Sequence, residues 1–199
     1  MPRAERAREI LAVAGHEFAT RGYYAVSMDD VAERAGVSKP MVYAYFGSKD
    51  GLYLAYVEQA GQDLLDRLRA AGDPSLAPQA RLRAGLVEFL KFVAERRDGW
   101  AVLYAEAAAE GGPLAGRIAA LRLRITRIVE RLLEDTVGDG LDAKERAQIE
   151  GAAHALVGAG ESLANWWLDH PEIEADEVAG WLLRLGDLLG TGKGRRAVR

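Results

Sequence analysis

Apolar residues recur along the chain at helical spacing, and no stretch alternates apolar with polar residues over the length of a strand. Breaks rich in glycine or proline interrupt this pattern at 21–22, 36, 47, 72–74, 98–99, 111–113, 138–140 and 170–171. The pattern therefore predicts an all-α protein of about nine helices, with three short helices before residue 48 and longer helices after it.

The first two helices have clear local signals. One face of the first helix is apolar at Ala7, Ile10, Leu11, Ala14 and Phe18. The second helix opens at Ser27, with Asp30 three residues later as a variant of the capping box. Its inner face is predicted to contain Met28, Val31, Ala32 and Ala35.

The third helix follows a tight turn at Gly36, a position that favours a left-handed residue, and Ser38 is predicted to cap it. At 100° per residue, the inward side holds Val42, Tyr45 and Phe46, whereas the outward side holds Lys39, Pro40, Tyr43 and Ala44. Two short helices joined in this way predict a helix-turn-helix, whose second helix reads the major groove of DNA.

Residues 27–52 resemble the DNA-binding domain of the TetR family (tetracycline-repressor-like regulators), and the spacing of Tyr43, Phe46 and Lys49 is the most specific part. The resemblance places Phe46 in the core and implies DNA contacts from seven residues. Phosphate contacts fall to Ser27, Tyr43 and Lys49, and base or groove contacts to Ser38, Lys39, Pro40 and Ala44. Met41 departs from the small or hydroxylated residue more common in the family. Each residue also has a purely structural interpretation, as a helix cap or a solvated side chain.

Charge is distributed unevenly along the chain, whose net charge is −4. Residues 1–50 balance seven cations against seven anions, the tail 191–199 carries +4, and residues 51–190 carry −8. An acidic body argues against a protein that coats nucleic acid with its whole surface. Local DNA binding would then rely on Arg3, Arg6 and Arg8 beside Lys39 and Lys49, although the three arginines could equally be a solvated helix start.

These patterns divide the chain into a helix-turn-helix domain (1–50), a helical body (51–190) and a basic tail (191–199) expected to be disordered. The body is rich in bulky apolar residues, which can fill a core or enclose a cavity between helices. The resemblance implies a pocket for a small, largely apolar effector. The candidate lining residues are Phe89, Phe92, Trp100, Leu103, Tyr104, Leu121, Ile125 and Trp166.

A predicted helix over 142–169 carries a stripe of small residues along which another helix could approach closely. The resemblance implies that the last two helices form the seam of a homodimer. The candidate seam residues are Gly151, Ala155, Gly158, Ser162, Trp181 and Leu185. His154 and Glu161 lie two turns apart on a polar line of the same helix, which fits an interface network better than a metal site.

Several functional classes are disfavoured. The absence of cysteine removes disulfides and thiol chemistry, and no stretch is long and apolar enough for a membrane span or a secretory leader, so a cytoplasmic protein is expected. No catalytic motif, cofactor or metal is predicted. The favoured function is a ligand-responsive regulator, most often a repressor, that binds a palindromic operator as a homodimer. The alternatives are an all-helical enzyme or small-molecule carrier, and a nucleoid-type DNA binder without an effector.

Overall fold

A computed structural model describes residues 2–108 and 115–190, with side chains at 2–104 and 116–184. Within these ranges the chain forms nine helices and no strand, which confirms the predicted all-α class. The helices are α1 Arg3–Ala25, α2 Met28–Arg34, α3 Lys39–Phe46, α4 Lys49–Ala71, α5 Pro78–Glu95, α6 Arg97–Ala108, α7 Ala115–Val137, α8 Ala143–Trp167 and α9 Ala175–Gly190. The predicted break at 111–113 and the tail 191–199 lie outside the described residues.

The helices form two compact units. The first comprises Met1–Ala70 and Phe92–Ile125, and the second comprises Ala71–Lys91 and the chain from Thr126 onward. In the first unit, α1 packs against α2 and α6, and α2 packs against α3. Its core contains the predicted stripe of α1, of which Ile10, Leu11, Ala14 and Phe18 are buried. No helix in the described ranges is both long and apolar enough to cross a membrane.

The starts of the helices show which capping predictions were right. The capping box at Ser27 and Asp30 is present, with each side chain bonded to the other residue's backbone N–H. Ser38 occupies the N-cap position of α3, but its side chain makes no capping hydrogen bond, so that prediction was wrong. Pro40 has no N–H to donate, which costs nothing in the first turn of a helix. The first backbone bond to the Ser38 carbonyl comes from the Met41 N–H, at 2.9 Å.

Two predicted breaks differ in detail. Gly22 has a φ of 78°, but it kinks α1 instead of ending it. The break predicted at 98–99 falls two to three residues earlier, at Arg96, because α5 ends at Glu95 and α6 begins at Arg97. Gly99 lies inside α6, where a Cβ would stand 3.4 Å from Ala60 Cβ and 3.7 Å from the Tyr56 hydroxyl. This glycine therefore lies at a contact between helices and does not interrupt a helix.

The second unit holds its last two helices together through small and polar contacts. Gly160 of α8 faces Leu182 and Phe89, at distances from its ideal Cβ position of 3.7 and 3.8 Å. The Trp167 indole donates to the Ile173 carbonyl at 2.7 Å across the turn after α8. Arg83 pairs with the Asp176 carboxylate at the start of α9 at 2.6 Å. Val178 and Ala179 of α9 are completely buried.

Candidate nucleic-acid interface

Helix α3 divides into a buried side and an exposed side. Val42 is completely buried, and Tyr45 and Phe46 are partly buried. The residues of the opposite side are all exposed, and 44% of Tyr43 is accessible. We call this surface the reading face, defined by Lys39, Pro40, Tyr43 and Ala44. The two sides predicted from helical geometry are therefore present, because the single buried valine orients this short helix.

A buried carboxylate fixes α2 relative to α1. Only 1% of the Glu17 side chain is exposed, and it lies on α1. Its two oxygens pair with Arg21 at 2.9 Å and with Arg34, the last residue of α2, at 2.7 Å. The hydrogen bond that Arg21 donates to Glu17 is the main cause of the raised pKa of Arg21, to which Asp30 also contributes. Burying a carboxylate is costly unless it is paired, so both arginines are structural.

The cation of the reading face is held by a carboxylate. The Lys39 ammonium donates to Asp29 of α2 at 2.8 Å, and both groups are exposed, at 50% and 65%. This hydrogen bond is the largest cause of the raised pKa of Lys39. Sequence reasoning missed Asp29, because nothing local links two residues that stand ten positions apart.

The start of α4 gathers a second cation near the reading face. The Lys49 ammonium donates to the Tyr24 carbonyl at 3.3 Å and lies 4.4 Å from the centroid of the Tyr23 ring. The Tyr23 hydroxyl donates to Asp50, and Ser48 Oγ accepts the Gly51 N–H at 3.0 Å. Lys49 is thus oriented at a helix N-terminus, a location that favours anions such as phosphate.

The predicted phosphate ligand Ser27 is already engaged inside the protein. Its hydroxyl accepts from the Asp30 N–H at 3.1 Å and donates to the Asp30 carboxylate at 2.6 Å. The hydrogen bonds from Ser27 are also the main reason why the pKa of Asp30 is lowered. Capping accounts for Ser27 fully, and its contact with DNA stays a prediction.

The three N-terminal arginines behave differently from one another. Arg3 lies beside the end of α3, with its guanidinium 5.1 Å from the centroid of the Tyr45 ring and 3.5 Å from the Ala44 carbonyl oxygen. Arg6 pairs with Glu9 at 2.9 Å, and Arg8 reaches the carbonyl of its own helix at Ala4. Only Arg3 of this group contacts the recognition helix in the described structure.

The predicted effector residues fall into both units. Those of the first unit include the buried residues Phe92, Trp100 and Leu103, and the partly or largely exposed residues Tyr104, Leu121 and Ile125. Phe89 and Trp166 belong to the second unit. Trp166 is 42% exposed and stacks on His170 with ring centroids 3.9 Å apart. Their joint role as a pocket stays a prediction.

An open cleft of about 760 Å³ does occur within the first unit, and polar and apolar residues contribute to its lining in similar measure. Phe92 is the predicted effector residue that lines this cleft. Tyr56 of α4 and Gly99 of α6, which were not predicted, line it too. Its rim is paired internally: Asp63 accepts from Arg96 at 3.1 Å, and His16 and Asp98 are 3.0 Å apart. Burial raises the pKa of Tyr56 to about 12, and the nearby Asp98 adds to the effect.

The small-residue stripe of α8 points away from its own unit. Gly151, Ala155 and Ser162 are exposed, and Gly158 is partly exposed. A Cβ added at Gly151 or Gly158 would meet no atom within 4 Å. Trp181 is partly exposed, whereas the side chain of Leu185 lies outside the described residues. Among described residues no cluster of three potential metal ligands occurs, and His154 is exposed.

Family models match most of the chain. Residues 10–56 match the model described as bacterial regulatory proteins, tetR family. Residues 78–186 match the model of a tetracyclin repressor-like C-terminal domain. The first match contains the whole reading face, and the second contains α8 and most of α9.

Individual relatives agree with these matches. The HTH-type transcriptional activator FasR of Mycolicibacterium smegmatis is 31% identical over 170 residues, which are 85% of this chain and 75% of FasR. A TetR-like transcriptional regulator from Rhodococcus sp. RHA1 has 38% identity and a TM-score of 0.81, covering 96% of this chain and all of that one. The fatty acid degradation regulator FadR from Bacillus halodurans shares the fold, with a TM-score of 0.78 at 17% identity, covering 98% of this chain and all of FadR.

Proposed function

The chain belongs to the TetR family of transcriptional regulators, and on that premise we propose that it is a homodimeric, effector-responsive repressor of a palindromic operator. Proteins of this family bind DNA and are not enzymes. The observation that carries the proposal is the reading face, four exposed residues opposite the buried Val42. In a helix-turn-helix this surface enters the major groove.

The DNA contacts are proposed as follows. The ammonium of Lys49, already oriented at the start of α4, and the hydroxyls of Tyr43 and Ser27 bind phosphates, which set the register on the duplex. The groove contacts come from Ser38, Lys39, Pro40 and Ala44. The Ser38 side chain supports this assignment, because its hydroxyl makes no capping hydrogen bond to α3. The DNA-binding domain is residues 1–50, followed by the effector and dimerisation body 51–190 and the basic tail 191–199.

The proposed dimer uses the exposed stripe of α8. Open space at Gly151 and Gly158 allows a helix of a second copy to approach closely, and Ala155, Ser162, Trp181 and Leu185 extend the seam. A two-fold axis presents two reading faces related by the same rotation. Half-sites about 34 Å apart, or a multiple of that distance, then match the two recognition helices.

The proposed effector acts through α6. Trp100 and Leu103 are buried residues of α6, and α6 packs on α1 of the DNA-binding domain. The pair His16–Asp98 also joins α1 to α6, and the ring of Tyr56 of α4 lies against Gly15 of α1. We propose that α6 has two positions relative to α1, which place the reading face differently. A ligand that binds one of them more tightly shifts the equilibrium between them by its difference in binding free energy, about 1–3 kcal/mol for a typical coupling.

Activation in place of repression is the second candidate, and the name of FasR as an activator favours it. Both modes need the same operator complex and the same dimer. They differ in the consequence of binding for RNA synthesis. Transcription from the DNA upstream of the gene that encodes this protein, measured with and without the purified protein, distinguishes the two modes.

The reading face is tested with Tyr43→Ala. The test duplex is one selected by the wild-type protein from a randomised pool. Loss of the side chain should abolish its binding, because ring and hydroxyl disappear together, while helicity and dimerisation stay unchanged. Tyr43→Phe should give a partial loss, since it keeps the ring. Truncation of Leu76, an exposed residue of the α4–α5 connection, is the control. Unchanged affinity of Tyr43→Ala would contradict the proposed interface.

A further inference from the structure

Helices α2 and α3, which we call the recognition unit, contain few cations that could reach DNA. Helices α2 and α3 together contain two, Arg34 and Lys39. Arg34 is bound to the buried Glu17 at 2.7 Å and serves the fold. Lys39 is therefore the positive charge that these two helices offer to a duplex, and it is bound to Asp29 at 2.8 Å.

Asp29 is placed to act on DNA binding and contributes little to the fold. Its side chain is 65% exposed, and it reaches Lys39 from the first turn of α2. The neighbouring Asp30 is engaged by the Ser27 cap and by Arg21, at 3.5 Å from the guanidinium. Because Asp29 bonds the first residue of α3, its carboxylate lies at the edge of the reading face.

An ion pair at this position changes non-specific binding more than specific binding. Affinity for arbitrary DNA comes from cations that neutralise phosphates and release counterions. A lysine already neutralised by a carboxylate releases few counterions, and the carboxylate itself repels a phosphate. On an operator, contacts with base edges are made in addition and do not depend on this lysine alone.

We propose that Asp29 is a specificity-determining residue, whose carboxylate holds Lys39 from the phosphates of non-operator DNA and confines tight binding to the operator. This inference rests on the proposed function, since it presupposes that the reading face meets DNA. It also explains how a domain with seven cations and seven anions, balanced in charge, serves a DNA-binding protein. The balanced charge lowers the affinity for arbitrary DNA, so contacts with base edges account for a larger share of the affinity for the operator.

The test compares Asp29→Asn with Glu33→Gln, Lys39→Met and the double variant Asp29→Asn/Lys39→Met. Glu33 is the matched control, since it is an exposed acid of the same helix and has the same charge. Affinities are measured over a range of salt concentrations for the duplex selected by the wild-type protein and for a shuffled duplex of the same length and composition.

Asp29→Asn should bind the shuffled duplex about three- to tenfold more tightly per dimer, with a salt slope steeper by about one per subunit. Binding to the selected duplex should change less, by about threefold or below, so the specificity ratio falls. The gain should be absent from Glu33→Gln and from the double variant, because it requires both a free Lys39 and the loss of its partner.

Three results would overturn the proposal. The first is unchanged affinity of Asp29→Asn for the shuffled duplex, and the second is an equal gain in Glu33→Gln, which would indicate net charge alone. The third is a selective loss of binding to the selected duplex, which would indicate that Asp29 contacts a base. Failure of the proposed function is distinguishable, because the wild-type protein itself would then show no preference between the two duplexes.

Discussion

Two glycines of the first unit, Gly15 and Gly51, differ from Gly151 and Gly158 of α8 in what occupies the space beside them. A Cβ at Gly51 would overlap the Phe46 carbonyl oxygen, and one at Gly15 would overlap the ring of Tyr56. A Cβ at Gly151 or Gly158 would have no atom of the described residues within 4 Å, apart from the neighbouring backbone of its own helix. The first pair permits contacts inside one chain, whereas the second pair leaves room for another chain. The same residue type thus serves two purposes, which substitutions can separate.

Gly51→Ala should have the largest effect. The methyl group meets a backbone oxygen that no rotamer change can move, so the α3–α4 turn must shift. Overpacking of this kind costs about 1–3 kcal/mol, and the upper end is expected at a backbone atom. Urea unfolding measures the loss, and operator binding should fall with it because Lys49 is displaced. Gly85→Ala, in open space within α5, is the control and should not destabilise the protein.

Gly15→Ala should have a smaller effect, about 1–2 kcal/mol, because the obstacle is a side chain. The Tyr56 ring can turn toward the adjacent cleft at the expense of its contact with α1. Adding Tyr56→Ala should remove most of the penalty of the methyl group in a double-mutant cycle. Additive losses in the two single variants would show that the ring does not cause the clash.

Gly158→Ala should raise the folding stability of the single subunit and lower the affinity of two subunits for each other. Within one chain the methyl group finds open space and improves helix propensity by up to about 1 kcal/mol. Against a second chain it separates the two helices, and we expect a dimer weaker by about tenfold, or about 1.4 kcal/mol. Sedimentation measures the dimer, with Gly85→Ala as the control. A dimer that tolerates even Gly158→Leu would place the seam elsewhere.

The effect that is smallest at neutral pH concerns the hydroxyl of Tyr56. Because burial raises its pKa to about 12, the folded chain keeps this proton at a pH where the unfolded chain, titrating near pH 10, has lost it. Folding stability should therefore fall as pH rises between these values. Absorbance of tyrosinate should show a late-titrating tyrosine that Tyr56→Phe lacks. If the late component persists in that variant, another tyrosine is responsible.

Local signals made the fold and the reading face predictable. The capping box at Ser27 needs only residues three positions apart, and the inward position of Val42 follows from helical spacing around one short helix. Gly36 was recognised as a left-handed turn residue, and its φ is 63°. These features depend on neighbours in the sequence, so the sequence alone suffices to find them.

Tertiary contacts were not predictable in the same way. Gly99 was interpreted as a helix break, because its partners Ala60 and Tyr56 come from another helix. Glu17 has no local signal of burial, although it is buried between Arg21 and Arg34. Asp29 has no local signal for its pairing with Lys39. Each case requires knowing which helix faces which, and spacing along one helix does not contain that information.

The buried Glu17 also limits how the protein can release DNA. If α2 slid along α1, Arg34 would leave the buried carboxylate, which would keep Arg21 as its partner and lose half of its compensation. A recognition unit anchored in this way tilts or translates as one rigid body, and its internal angles are preserved. In the proposed dimer, an effector would therefore change the distance between the two operator-bound halves and not the shape of either half.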